Sequence, residues 1–132
     1  MLISLLRIVE PCAGVITIDD LDVSGIGLHD LRNKIAIIPQ EPVMFVGTIR
    51  SNLDPFNKSS DEEIWKALDA VFLGEKLRQS PSKLDTAVTE NGKSVSQGQR
   101  QLLCIARAIL SKAKVLVLDE VLFYLKFLLT LF

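Results

Sequence analysis

From Val115 to Leu118 the chain reads VLVL, an unbroken apolar run that stops at the acids Asp119 and Glu120. A strand with one wet face alternates apolar and polar residues, so this run predicts a strand covered on both faces, as in a parallel sheet. Parallel neighbours need a crossover connection, most often a helix. One precedes the run: Leu102, Leu103, Ile105, Ala106, Ile109 and Leu110 make an apolar stripe at helical spacing, with Arg100 and Arg107 on other faces. That helix is fed by TENGKSVSQGQ, a polar loop punctuated by glycine. Loop, helix and buried strand in this order place the chain in the α/β class.

Upstream, Ile35 to Ile38 is a second buried-strand pattern; it ends at Pro39, and Gln40 sits just past it. A helical turn over Leu28 to Arg32 leads into it. Leu2, Leu5, Leu6 and Val9 recur at helical spacing until Pro11 closes the pattern, and Val15 to Ile18 alternates before a turn at Asp19 and Asp20. Met44 to Pro55 is irregular, broken by Gly47, Asn52 and Pro55. Ser60 with Glu63 then predicts a capping box opening a helix whose apolar face carries Ile64, Trp65, Leu68, Val71 and Phe72. Trp65 on that face reads as a core residue. A weaker helix covers Leu73 to Gln79, and SPSKLD reads as a loop.

Size and composition bound the function. A chain of 132 residues with 48% hydrophobic and 23% charged content is one globular domain or part of one. Its net charge of -1 gives no general attraction to nucleic acid or anionic lipid. Cys12 and Cys104 lie far apart without neighbouring metal ligands, which predicts two reduced thiols rather than a zinc site or disulfide framework. Arg7 inside the first apolar run argues against a signal peptide. No segment reaches the ~20 apolar residues that a membrane-spanning helix needs. The tail from Val121 to Phe132 is apolar apart from Lys126 and Thr130 and too short to span. It reads either as an anchor or partner surface, or as the end of a truncated or mis-spliced product.

The chemistry gathers around the opening motif. Ligands of open α/β sheets collect beyond the carboxyl ends of strands, where Gln40, Asp119 and Glu120 stand. A helix N-terminus fed by a Ser/Gly loop presents backbone N–H groups to phosphate, and Ser96, Gln97, Gly98 and Gln99 occupy that position. Adjacent buried carboxylates are costly unless they bind a cation or take a proton. In nucleotide hydrolysis, Asp119 would hold Mg²⁺ and Glu120 would polarise the attacking water. The structural alternative is an acid that caps the turn after the strand.

IAIIPQEPVMFVGTIRSNLDPF, followed by TENGKSVSQGQRQLLCIARAIL and KVLVLDE, resembles the nucleotide-binding domain of an ATP-binding cassette (ABC) transporter. More narrowly, it is similar to the second such domain of the C, or multidrug-resistance-associated, subfamily, to which RSNLDPF points, over about residues 1–120. The resemblance implies a partial P-loop NTPase-like core with parallel strands plus an α-helical subdomain. It implies core pieces at 1–43 and 114–120, a helical subdomain over 44–113 and a divergent tail at 121–132. It also implies that Gln40 is the Q-loop glutamine touching Mg²⁺ and the lytic water. Val95 to Gln99 would be the signature loop, Val115 to Asp119 the Walker B strand and Glu120 the catalytic glutamate. The segment with Glu90 and Gly92 would approach the coupling helices of the transmembrane domains.

By the same resemblance the cofactors are ATP and Mg²⁺. The partners are a second nucleotide-binding domain, whose γ-phosphate the signature loop contacts, and the transmembrane domains of an exporter of organic anions or conjugates. The place is the cytoplasmic face of a membrane. The family's G-x-x-G-x-G-K-[ST] loop does not occur in this sequence, and LISLLRIVEP looks like the helix that normally follows it. The expectation is therefore a chain inactive by itself: an exporter ATPase fragment, a fragment donating its signature loop to another domain, or a non-functional truncated product. The adenine-stacking aromatic and the switch histidine also lack matches, and His29 reads as a surface or helix-end residue. Gln97 stands where the family has a small residue, either crowding the phosphate or pointing away.

Overall fold

The computed structural model describes residues 2–89 and 94–118. Helix α1, Leu2–Leu5, is shorter than the apolar spacing predicts, because Arg7 takes a left-handed backbone conformation with φ 49°. The Arg7 guanidinium then donates to the carbonyls of Val23 and Ile26 at 3.3 and 2.8 Å. Strands β1, Thr17–Ile18, and β2, Leu21–Asp22, pair antiparallel across Asp19 and Asp20. Both aspartates have positive φ, 49° and 63°, as the tight turn of a two-residue hairpin requires. Helix α2, Leu28–Asn33, follows, with His29 exposed in its first turn, and leads into β3, Ile35–Ile38.

The stretch expected to be irregular contains two elements. Strand β4, Gly47–Thr48, runs directly into α3, Ile49–Leu53, through a capping box between Thr48 and Ser51. Helix α4, Asp61–Ala70, begins at the expected box: the Ser60 hydroxyl accepts from the Glu63 N–H at 3.3 Å, and the Glu63 carboxylate from the Ser60 N–H at 3.0 Å. It buries Ile64, Ala67 and Leu68. Trp65 is half-buried against this core, with the Arg78 guanidinium 4.8 Å from its ring centre. Phe72 corrects the expected apolar face. The helix ends at Ala70 with Val71 as its cap, Phe72 turns left-handed with φ 57°, and Phe72 is 76% exposed while Leu73 is buried instead. Helix α5, Gly74–Gln79, and strand β5, Ala87–Val88, precede α6, Gln97–Leu110, and β6, Val115–Leu118. Strand β5 pairs antiparallel with β4.

Strands β3 and β6 pair in parallel from Ile35 opposite Val115 to Ile38 opposite Leu118. Successive side chains of a strand point to opposite faces, and the two faces here meet different clusters. Leu116 and Leu118 pack with the larger core, built from Ile38, Met44, Ile49, Ile64, Leu68, Val88, Leu103 and Ile105. Val115 and Val117 pack with Leu6, Val23, Leu31 and Ile35. Apolar residues on both faces of β6 are what its unbroken VLVL requires, although each is only half-buried. Cys104 lies in the larger core and Cys12 at the surface.

Candidate functional site

The elbow before α6 is built by the sequence S-x-x-Q. Ser96, with φ -62° and ψ 157°, sits outside the helix and caps it. Its hydroxyl accepts from the Gln99 N–H at 3.3 Å, and the Gln99 side-chain oxygen accepts from the Ser96 N–H at 3.0 Å. The sequence reading named no box here, only a phosphate-facing loop; the structure shows one, and it secures a helix of 14 residues. Ser96 and Gln97 are exposed, and Gly98 and Gln99 are half-buried. The elbow therefore faces outward, with the helix dipole behind it.

Gln40 is exposed just beyond β3. Because β3 and β6 run parallel and in register, their carboxyl ends lie side by side at Ile38 and Leu118. Asp119 and Glu120, next along the chain, fall outside the described residues, as do Glu90, Gly92 and the tail from Val121 to Phe132. Of the expected site, the structure therefore places Gln40 at the strand edge and Ser96 to Gln99 at the helix start.

Two functional-looking residues escaped the sequence reading. Arg107, expected on a face other than the apolar stripe, is turned inward, and Asn52 is only 2% exposed. Burial lowers the Arg107 pKa, opposed by the nearby Cys104 thiol; burial likewise raises the Cys104 pKa, opposed by Arg107. Cys104 is thus held as the thiol, an inert core residue. No signal local to either position reveals the pairing, since Arg107 and Asn52 are 55 residues apart. Next to them, Val43, Phe45, Val46 and Phe56 expose 58, 66, 72 and 77% of their surface. Phe45 and Phe56 border a cleft of about 430 Å³ that also includes Asn52, Asp54, Lys58 and Arg107.

The geometry has recognisable relatives. The family model described as ABC transporter matches residues 1–122. ABC transporter C family member 7 of Arabidopsis thaliana is 56% identical over 117 residues, which are 89% of this chain and 8% of that protein. ABC transporter C family member 13 of Oryza sativa subsp. japonica is 55% identical with the same coverage. The chain thus spans about 8% of the length of these curated relatives. A solved structure, that of a bacterial Atm1-family ABC exporter with ATP bound, superposes with a TM-score of 0.79 at 29% identity, covering 90% of this chain and 21% of that one. The chain belongs to the ABC transporter family, and the curated relatives it matches are members of the C family.

Proposed function

We propose that Ser96 to Gln99 contact the γ-phosphate of ATP held by a second nucleotide-binding domain, while Gln40, Asp119 and Glu120 belong to a separate Mg²⁺-ATP pocket of their own domain. The observation that carries this reading is the outward-facing elbow at the start of α6, capped by its own Ser96–Gln99 box. Backbone N–H groups at a helix start suit a phosphoryl group, so the residues present fit that end of the nucleotide. Gln40 and the two acids would hold Mg²⁺ and the lytic water; the bound ion would neutralise developing phosphate charge. The segment after Gln40, with exposed Val43, Phe45, Val46 and Phe56, supports docking of transmembrane domains at the cytoplasmic face of a membrane. Among the described residues, no helix is long and apolar enough to cross a membrane.

The sequence lacks the glycine-rich lysine loop that supplies most phosphate donors in P-loop enzymes. That favours a donor role over turnover by this chain alone. The test is sedimentation of the chain with an intact C-family nucleotide-binding domain, with and without Mg²⁺-ATP. ATP-dependent association is expected, and its absence refutes the reading. The chain alone should show no Mg²⁺-dependent ATP hydrolysis. Turnover that disappears on Glu120→Gln would overturn that expectation.

A further inference from the structure

Behind the exposed apolar edge lies a polar cluster that the site chemistry does not use. Asn52 on α3 satisfies both backbone groups of Phe45: its side-chain oxygen accepts from the Phe45 N–H at 2.9 Å, and its amide nitrogen donates to the Phe45 carbonyl at 2.8 Å. The same nitrogen donates to the Thr48 carbonyl at 2.9 Å. Asn52 thus stands in for a neighbouring strand along a segment that has none among the described residues.

Arg107 on α6 locks this arrangement. Its Nε donates to the Asn52 carbonyl at 2.6 Å, one terminal nitrogen to the Val43 carbonyl at 2.9 Å, and the other to the Asn52 side-chain oxygen at 2.8 Å. The second terminal nitrogen also lies 3.6 Å from the Met44 sulfur, and the guanidinium lies 5.9 Å from the Phe45 ring centre. The fork therefore joins two segments, 43–45 and α3, to one helix. A planar guanidinium makes such divergent bonds at once; a lysine ammonium on a flexible stem does not reproduce them. About 15 Å along the same helix from Arg107 stands the elbow at Gln97.

We infer that Arg107 is a positioning residue that fixes the segment after Gln40 onto the signature helix, so that the apolar docking edge and the phosphate-facing elbow move as one body. The meaning of the two ends rests on the proposed function, but the tether does not need nucleotide. Amide hydrogen exchange on the 132-residue chain across a denaturant series tests it. In the unaltered chain, the Phe45 N–H should exchange through the same opening as the amides of Leu103 to Ala106. Independent, near-unprotected exchange at Phe45 would overturn the proposal. In Arg107→Lys, Phe45 should exchange at least tenfold faster while amides in α4 and α6 stay within about twofold. An unchanged Phe45 would show that Asn52 suffices alone, and a uniform acceleration would show that Arg107 serves the whole fold; both refute the inference. If Arg107→Lys does not fold, the measurement on the unaltered chain decides. None of these readouts changes if ATP-dependent association fails.

Discussion

Replacing Ser96 separates the two roles assigned to the elbow. Ser96→Ala removes one acceptor, the hydroxyl that receives the Gln99 N–H, and leaves the Ser96 N–H bonded to the Gln99 side chain. Because Ser96 is exposed and Gln99 half-buried, water can reach the orphaned donor, which places the cost near the middle of the usual range for a lost cap, about 1 kcal/mol. For a chain of this size that is roughly 3–5 °C in Tm. Ser96→Asp keeps an acceptor and adds a negative charge at the positive end of the helix dipole, worth about 0.3–1 kcal/mol. Its stability should equal or exceed that of the parent. The same charge sits where a phosphoryl oxygen would bind, so ATP-dependent association should be lost in Ser96→Asp although the fold is intact.

Urea unfolding followed by circular dichroism gives the stability arm, and sedimentation with an intact nucleotide-binding domain gives the binding arm. If Ser96→Asp destabilises as much as Ser96→Ala, the hydroxyl is not acting as a cap acceptor. If Ser96→Asp still associates as the parent does, phosphate is not bound at the elbow. Gln99→Ala offers an internal control, since it removes the reciprocal bond at the Ser96 N–H. The two substitutions share one box, so their combined cost should fall short of the sum of the single costs.

Other expectations follow from side chains around the larger core. A Cβ added at Gly74 would collide with the Asp69 carboxylate, which holds Arg78 through bonds of 2.6 and 2.7 Å. Gly74→Ala should therefore lower the urea midpoint slightly by displacing that exposed pair, and leave it almost unchanged in an Asp69→Ala background; equal shifts in both would refute the link. Leu103→Ala, at a side chain only 1% exposed, should cost about 3–4 kcal/mol in urea unfolding, and a cost below about 1 kcal/mol would contradict its place in the core. Acid should weaken the fold. Hydrogen bonds from Ser24 lower the Asp22 pKa, the Ser60 N–H and then Lys112 lower that of Glu63, and Arg78 lowers that of Asp69. Burial opposes ionisation of Asp54, but the N–H groups of Ser59, Lys58 and Phe56 together outweigh it, so its pKa is also lowered. Each folded value lies below the unfolded one, so this stability is present above about pH 4.5 and drains as pH falls through the folded values. A urea midpoint that stays flat from pH 5 to pH 3 would refute it.

What could be read from sequence was what neighbours in sequence determine. Ser60 with Glu63 announces α4, the apolar stripe announces α6, and VLVL announces β6, because caps, helical faces and strand burial are set within a few residues. Strands β4 and β5 were not legible: each has 2 residues, and Gly47 finds Val88 only after the intervening helices have packed. Phe72 continued the apolar spacing of α4, yet the left-handed turn at that residue ends the helix and gives the buried place to Leu73. Arg107 misled for the same reason. Its position on a helical wheel is polar, but its acceptors are 55 and 64 residues away, on segments whose approach no local pattern encodes.

This division runs through the candidate site as well. The elbow is specified locally, by the Ser96–Gln99 box, and holds its shape as a property of one helix start. The strand edge carrying Gln40 is specified at long range, by a register that joins Ile38 to Leu118 and by a clamp that joins Val43 and Asn52 to Arg107. Local boxes survive the loosening of a domain, because they need only their own turn; long-range clamps do not, because they close loops at an entropic cost that only a packed core offsets. Partial destabilisation should therefore release the segment after Gln40 together with Leu103 to Ala106, in one opening, while the Ser96–Gln99 turn keeps its own box. In the proposed function, which relates a docking edge to a phosphate-facing loop, the long-range clamp is the more vulnerable half of the device.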